Sequence, residues 1–271
     1  MPITTLDQAL AGMQYPRIFC KLATASSTAG TPNSYWGIGG FPGAGGFDTT
    51  LNGVVLSSTS AQVTGQIPFT NPTAGNNSYL ARLVASAAST GTFMLVDRLW
   101  HNGGFTITST AAQAITSPTW PSRDANGGTS GVGVLIACEV SAATGVGTPV
   151  LTLSYTNSDG VSGRTATNID ATIASAGVGR FYRFGLQAGD VGVRSVQSLT
   201  LSATWTSGTI NLVAYRVLAQ VEITAANTSN SIDALTGGFP RLFDGSVPFP
   251  LFVTSATTVA ALSGSVIWSQ G

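Results

Sequence analysis

Apolar and hydroxyl side chains alternate along much of the chain after residue 54. In the segment SLTLSATW the apolar positions are Leu199, Leu201, Ala203 and Trp205. A period of two is typical of a strand with one buried face. TFMLVDRLW and GVGVLIACEV are apolar at most positions and indicate more deeply buried strands. Three further segments, VVLSS, VTGQIPF and GFTITSTAAQAI, are also strand candidates.

Turn signals separate these segments. They are Asn126-Gly127, Asp159-Gly160, Gly189-Asp190 and Ser207-Gly208. Such pairs suit tight turns because glycine adopts left-handed backbone conformations without strain. A last hairpin, turned at Ser263-Gly264, is predicted in FVTSATTVAALSGSVIW. Short strands with no helices between them predict an all-β fold, an antiparallel β-sandwich or jelly roll with its core at residues 92–223.

A short N-terminal helix is predicted in ITTLDQALAGM. Thr4 or Thr5 can cap it, and Asp7 suits its first turn. Gly12 and Pro16 end it. One face at helical spacing contains Leu6, Ala9, Leu10 and Met13. We expect this helix to dock on the chain's own sheet or on a partner.

Residues 24–53 form a Gly-rich N-terminal arm. Its aromatic residues are Tyr35, Trp36, Phe41 and Phe47. Long ordered loops are usually functional or packed on a partner, and solvated linkers rarely carry four aromatics. Two interpretations stay open: a loop folded over its own core, or an arm laid on a neighbouring subunit. The second makes these four aromatic residues the candidate partner interface.

Charge is scarce in this chain of 271 residues. Only 8% of residues are charged, against about 25% in typical proteins, and eleven positive charges balance eleven negative ones. A hydrophobic content of 43% argues against disorder. Without a basic excess, a nucleic-acid partner is not expected. No regular internal repeat indicates a solenoid or propeller.

The N-terminus and the cysteines bear on location. Residues 1–20 include Asp7 and Arg17 and lack an apolar run, so no signal peptide is expected. No window of about 18 apolar residues occurs, so no membrane partner is expected. Cys138 lies in an apolar segment and is predicted to be a small buried side chain. A disulfide between Cys20 and Cys138 is the alternative.

The candidate chemistry does not favour an enzyme. His101, the only histidine, follows an apolar segment in DRLWHNGG, and we expect a turn histidine bonded to backbone. A Ser-His-Asp arrangement using Asp97 lacks the GxSxG turn before a helix. One histidine and two distant cysteines match no metal-ligand spacing, so neither metal nor cofactor is predicted. Glu139 and Glu222 lie in strand candidates, and most aspartates lie at turns, so a catalytic carboxylate pair is not favoured.

The arginines of the predicted core must be solvated or paired, because an isolated buried charge is very costly. They are Arg98, Arg123, Arg164, Arg180, Arg183, Arg194 and Arg216. Local pairs are Asp97 with Arg98, Arg123 with Asp124, and Asp190 with Arg194. Two roles stay open: struts inside the sandwich, or ion pairs at a subunit interface, where arginine is enriched.

Several segments together resemble a group of tailed-bacteriophage virion proteins. The motifs that carry the resemblance are DRLWHN, SYTNSDG, GRTA and AGDVGVRSVQS, all within residues 92–218. The resemblance is to head-decoration, or capsid cement, proteins, and it supplies no catalytic residue. It implies a structural virion protein on the capsid exterior, assembled in the host cytoplasm. The implied partners are the major capsid protein and further copies of this chain in a homo-oligomer.

The alternative function is a phage tail or fibre module that binds host-surface carbohydrate through Tyr35 and Trp36. A shell-forming capsid protein is less favoured, because no long amphipathic helix is predicted. The chain divides into a helix, arm and short strands at 1–91, a β-sandwich core at 92–223, and a loop with a closing hairpin at 224–271.

Overall fold

The computed structural model describes residues 3–24, 28–257 and 260–271. Within these ranges the chain forms a helix α1 (Leu6–Ala11), a 3-10 turn at Val63–Gly65 and seventeen strands. The strands are β1 Arg17–Lys21, β2 Pro32–Ser34, β3 Gly40–Phe41, β4 Val54–Val55, β5 Ser78–Ala87, β6 Gly91–Asn102, β7 Gln113–Ala114, β8 Val134–Ala142, β9 Leu151–Asn157, β10 Arg164–Asn168, β11 Phe181–Gly185, β12 Val193–Leu201, β13 Thr209–Ile223, β14 Asn230–Asp233, β15 Arg241–Leu242, β16 Pro248–Thr254 and β17 Leu262–Gln270. No helix among the described residues is long and apolar enough to span a bilayer.

The strands form two antiparallel sheets. A small sheet has the order β14-β5-β17-β1-β3, with β15 also paired to β5. A large sheet has the order β2-β16-β6-β13-β8-β11-β10-β9-β12-β7, with β4 also paired to β6. The all-β prediction is therefore confirmed, together with the short N-terminal helix.

Three apolar clusters hold these sheets. One lies between the two sheets, where Phe19 of β1 stacks on Phe93 of β6 at 5.4 Å between ring centroids. A second fills the interior of the large sheet around Trp100 and Trp205. A third joins Trp36, Leu56 and Val63 to that sheet. At about 25 cal/mol per Å² of apolar surface removed from water, these clusters supply the main stabilisation.

Both ends of the chain contribute to these sheets. The central strands of the small sheet come from residues 17–21, 78–87 and 262–270. In the large sheet β6 pairs with β16, which lies beyond residue 224. The sandwich is thus larger than the predicted core at 92–223, because strands from both flanking segments complete it.

The local signals of the sequence have mixed outcomes. Gly127, Gly160, Gly189 and Gly208 all have positive φ angles, as the predicted turns require. Helix α1 begins with a capping box: the Thr5 hydroxyl accepts a bond from the backbone N–H of Gln8 at 3.2 Å, and the Gln8 side chain accepts one from the Thr5 N–H. The apolar face predicted for this helix is mostly exposed, because Ala9 is its one buried residue.

Other predicted elements are wrong. In VTGQIPF the structure has a 3-10 turn, and most of GFTITSTAAQAI is irregular except the two residues of β7. The strand that contains Leu199 ends at Leu201, which leaves Ala203 exposed although Trp205 is buried.

Ser263-Gly264 lies within β17 and is not the predicted hairpin turn. A Cβ atom at Gly264 would overlap the carbonyl oxygen of Val84 and the ring of Phe19. Glycine is required there because neighbouring atoms pack closely against it. The local sequence alone does not distinguish such a glycine from one in a turn. Part of the predicted closing hairpin, residues 258–259, lies outside the described residues, as do residues 1–2 and 25–27.

Candidate functional site

Two of the four predicted interface aromatics are core residues. Tyr35 is 1% exposed and Trp36 is 0% exposed. The Tyr35 hydroxyl donates to the carbonyl of Ala260 at 2.5 Å, and Trp36 Nε1 donates to the carbonyl of Gly46 at 2.8 Å. The partner-interface prediction is therefore wrong for these two residues, because the chain's own core already covers their side chains.

The other two aromatics differ from each other. Phe47 is partly buried against the same cluster as Trp36. Phe41, in β3, is 52% exposed. Of the four predicted residues, only Phe41 presents a largely free apolar side chain.

The position of Phe41 is determined by the single lysine. Lys21 is fully buried, and its Nζ donates to the carbonyls of Ile38 at 3.0 Å, Pro42 at 2.8 Å and Gly43 at 2.8 Å. Burial lowers the pKa of Lys21 to about 8, so the side chain is still mainly protonated at neutral pH. Its three N–H groups match three carbonyls, and together they pin the loop that presents Phe41.

The strand that carries Lys21 buries this charged side chain and exposes apolar ones. In β1, Phe19 and Lys21 point into the protein, whereas Ile18 and Cys20 are exposed. Ile18 is 62% exposed, and so is Leu22 immediately after the strand. Phe41 is the register partner of Cys20, so it lies on the same outward face as Ile18. The sequence signal for this surface is the alternation in RIFCKL, which places the apolar Ile18, Cys20 and Leu22 on the exposed face and Arg17, Phe19 and Lys21 on the opposite one.

His101 lies in a different environment from the predicted turn. It is fully buried in β6, where its Nδ1 accepts a bond from Arg98 Nη2 at 2.9 Å and its Nε2 lies 2.6 Å from Gln62 Oε1. Burial and the adjacent Arg98 charge lower the pKa of His101 to about 2. A neutral histidine sealed in this way is a structural link and has no access to a substrate.

Asp97 does not complete a catalytic triad. Its carboxylate accepts bonds from the Ser246 hydroxyl at 3.0 Å and the Val247 N–H at 2.7 Å. It also pairs with Arg123 at 3.3 Å and Arg216 at 3.6 Å. Both oxygens thus bind partners other than His101, whose ring nitrogens are bonded to Arg98 and Gln62.

The ion pairs join residues that are distant in sequence and not close neighbours. Arg98 pairs with Glu139 at 2.7 Å, and Arg164 pairs with Asp190 at 3.3 Å. The three predicted local pairs are therefore wrong. Adjacent residues of a strand point to opposite faces, which separates Asp97 from Arg98. Asp124 instead accepts bonds from backbone N–H groups of its own turn.

The remaining polar features are limited. A cleft of about 360 Å³ on the large sheet is lined by Ser117, Pro118, Thr119, Thr129, Thr156, Gly160, Arg194 and Ser195. Within the described part of the chain, no cluster of three His, Cys, Asp or Glu residues could hold a metal ion. Cys20 and Cys138 are both free thiols, the first exposed and the second buried.

Comparisons with known proteins give no family assignment. No family model and no curated protein matches the sequence. Solved structures with weak similarity include capsid proteins of infectious bursal disease virus. One is a mutant VP2 protein in T=1 particles, with 11% identity and a TM-score of 0.18 over 94% of this chain and 64% of that chain. Another is a VP2 subviral particle, with 11% identity and a TM-score of 0.18 over 94% and 66%. The chain thus spans just under two thirds of those VP2 chains, and so low a TM-score carries no argument about function.

Proposed function

We propose that this chain is a structural virion protein, a decoration or cement protein that stabilises the head of a tailed phage. It would bind the major capsid protein from outside. The observation that carries the proposal is that polar residues of the sequence motifs are bonded to other parts of the chain. Asp97, Arg98 and His101 of DRLWHN are all fully buried and bonded to other strands or loops.

The second group of motif residues behaves in the same way. Asp190 of AGDVGVRSVQS accepts bonds from the Tyr155 hydroxyl at 2.5 Å and the Asn157 amide at 2.7 Å, both of SYTNSDG. Arg164 of GRTA adds an ion pair to the same carboxylate. These bonds between motif residues hold separate segments of the chain in fixed positions. A protein that stabilises a capsid has to keep its own shape in this way.

Copy number on the particle tests this proposal. Phage heads lacking the protein are mixed with the purified full chain, and bound copies per major capsid subunit are measured by quantitative gel densitometry and cryo-EM. We expect binding over the whole head lattice and a higher temperature of head disruption. Binding of a few copies at one vertex would contradict it and support a tail location.

The tail or fibre alternative has lost its proposed binding residues. Carbohydrate recognition through Tyr35 and Trp36 requires exposed rings, and both are covered by the chain's own core. His101→Ala gives a separate check on a non-enzymatic role. We expect that variant to be less stable and to lose no catalytic activity. A hydrolase activity that disappears in the variant would overturn the proposal.

A further inference from the structure

Exposed apolar side chains are concentrated near the N-terminus. Among the described residues, thirteen large hydrophobic side chains are exposed, and seven of these lie within the first 41 positions. We call these seven the N-terminal apolar surface: Leu6, Leu10, Met13, Tyr15, Ile18, Leu22 and Phe41. Scattered exposed hydrophobics are ordinary on a protein surface, but contiguous ones mark interaction sites.

The centre of this surface is the outer face of the small sheet. Ile18 pairs with Ser265 of β17, and Cys20 pairs with both Ser263 of β17 and Phe41 of β3. Residues paired across antiparallel strands project from the same face. The half-buried Ile267 lies on this face as well, because it alternates with Ser265 along β17.

Helix α1 borders the same face. Ser269 follows Ile267 in the outward alternation of β17, and its hydroxyl donates to the carbonyl of Ala9 at 2.6 Å. The helix therefore lies over the end of β17 with Ala9 inward. Leu6, at 56% exposure, and Leu10, at 52%, remain uncovered.

The size of the surface points to a protein partner. Seven partly exposed side chains at roughly 100 Å² each amount to about 700 Å² of apolar area. The largest apolar patch on a typical monomer is about 300–600 Å². A stable protein interface covers about 800 Å² on each partner. The N-terminal apolar surface thus exceeds the first range and approaches what a stable dimer requires.

We propose that this surface binds the same surface of a second copy of the chain, forming a symmetric dimer. A twofold interface requires a patch that complements itself, and a sheet face of apolar and serine side chains without an unpaired charge at its centre is compatible with this. The chain has zero net charge, so two copies do not repel each other. The charged positions of the face, Arg82 and Asp233, pair with each other in register at its far edge. The surface is present whether or not the chain decorates a capsid.

Sedimentation velocity of the full chain with and without Ile18→Asp tests the dimer. We expect the wild type to dimerise in the micromolar range. Ile18→Asp should weaken the dimer by more than about 100-fold, because an unpaired carboxylate among apolar side chains is strongly unfavourable. The matched control is Val191→Asp, since Val191 is 60% exposed but lies outside this surface. That variant should dimerise like the wild type.

Cys20 supplies a second measurement. It is exposed at the centre of the surface, whereas Cys138 is 0% exposed. Its reaction with a maleimide should slow as protein concentration rises through the dimerisation range and should stay fast in Ile18→Asp. If circular dichroism shows that Ile18→Asp does not fold, Leu22→Ser replaces it, because Leu22 lies just beyond the end of β1.

Three results would overturn the dimer. The wild type could remain monomeric throughout the concentration range. The dimer could persist in both Ile18→Asp and Leu22→Ser. The wild type could also be monomeric in solution, with Cys20 protected from maleimide only on phage heads. That result would mean that the surface binds the capsid protein, and it would support the proposed function.

Discussion

Single buried polar side chains in this protein bind several partners each. Asp124 is fully buried, and its carboxylate accepts bonds from the N–H groups of Asn126 at 2.9 Å, Gly128 at 2.7 Å and Gly131 at 3.1 Å, and from the Ser130 hydroxyl at 3.0 Å. Burial alone would raise the pKa of Asp124, but these donors outweigh it and hold the pKa below the usual value of an aspartate. The ionised carboxylate thus organises the turn at residues 124–131.

Replacing this carboxylate should make stability depend on pH. Because the pKa of Asp124 is lower in the folded chain, its stabilisation is complete above about pH 4 and is lost as the pH falls through the folded pKa. Asp124→Asn should therefore lower the free energy of unfolding at pH 7, with a smaller deficit at pH 3. Urea denaturation at both pH values measures this, with the exposed Asp159→Asn as control. An equal deficit at both pH values would show that the charge contributes nothing.

Trp205 anchors the interior of the large sheet. Its side chain is 0% exposed, its Nε1 donates to the carbonyl of Ile173 at 3.2 Å, and its ring stacks on Tyr182. Trp205→Ala should cost about 3–5 kcal/mol, because it leaves a large cavity. Urea denaturation measures the loss. The exposed neighbour provides the control, since Ala203→Ser should change stability by less than about 0.5 kcal/mol.

At the scale of single residues, the role of a side chain can be predicted when its contacts are close in sequence and not when they are distant in sequence. Trp205 is predictable as a core residue because its position fits the local alternation of SLTLSATW. The role of His101 is not predictable, because its partner Gln62 lies 39 residues away, next to a predicted strand that is a 3-10 turn in the structure. The interface prediction for Tyr35 and Trp36 fails for the same reason, since a glycine-rich stretch contains no sign of the surface that it covers.

Between elements, a buried ion pair crosses the middle of the large sheet. Arg98 of β6 reaches Glu139 of β8 at 2.7 Å, although β13 lies between these strands. The Arg98 guanidinium also lies 4.6 Å from the centroid of the Trp36 ring. The pair therefore fastens three strands and the N-terminal arm at one point.

Removing one member of this pair should cost more than removing both. Glu139→Gln leaves the Arg98 charge buried without a counterion, which should cost about 3–5 kcal/mol. The double variant Arg98→Met with Glu139→Leu should recover much of that loss, because no charge remains in the interior. Urea denaturation of the single and double variants measures the coupling. Additive losses would contradict it, and the exposed Arg194→Met should have little effect.

Element prediction succeeds where burial has a period of two and fails where other constraints select the same residues. The strands β6, β8 and β12 coincide with the segments TFMLVDRLW, GVGVLIACEV and SLTL, which have apolar or alternating character. Gly264 is typical of a turn by its sequence, but it is needed because the Phe19 ring and the Val84 carbonyl pack against it. In β1 the apolar residues are evident from the sequence, but which face lies outward depends on the burial of Lys21.

At the scale of the whole molecule, the first and last parts of the chain complete the sheets of the middle part. β17 is central in the small sheet and pairs with both β1 and β5, which lie more than 170 positions away in sequence. Phe19 and Phe93 connect that sheet to the large one. Such long-range pairing explains why the fold class is predictable from the sequence while the strand order is not.

The distribution of charge predicts how the whole molecule responds to salt. The side chains of the Arg98–Glu139, Arg123–Asp97 and Arg216–Asp97 pairs are at most 8% exposed. Dissolved ions screen exposed charges well and buried pairs poorly. Raising NaCl from about 0.05 M to about 0.5 M should therefore shift the melting temperature by less than about 2 °C. Sodium sulfate at equal ionic strength is the matched comparison, and it should raise the melting temperature because it strengthens apolar burial. Differential scanning calorimetry in both salts distinguishes the two effects. A fall of several degrees in NaCl would mean that the exposed charges, and not the buried pairs, carry the electrostatic part of the stability.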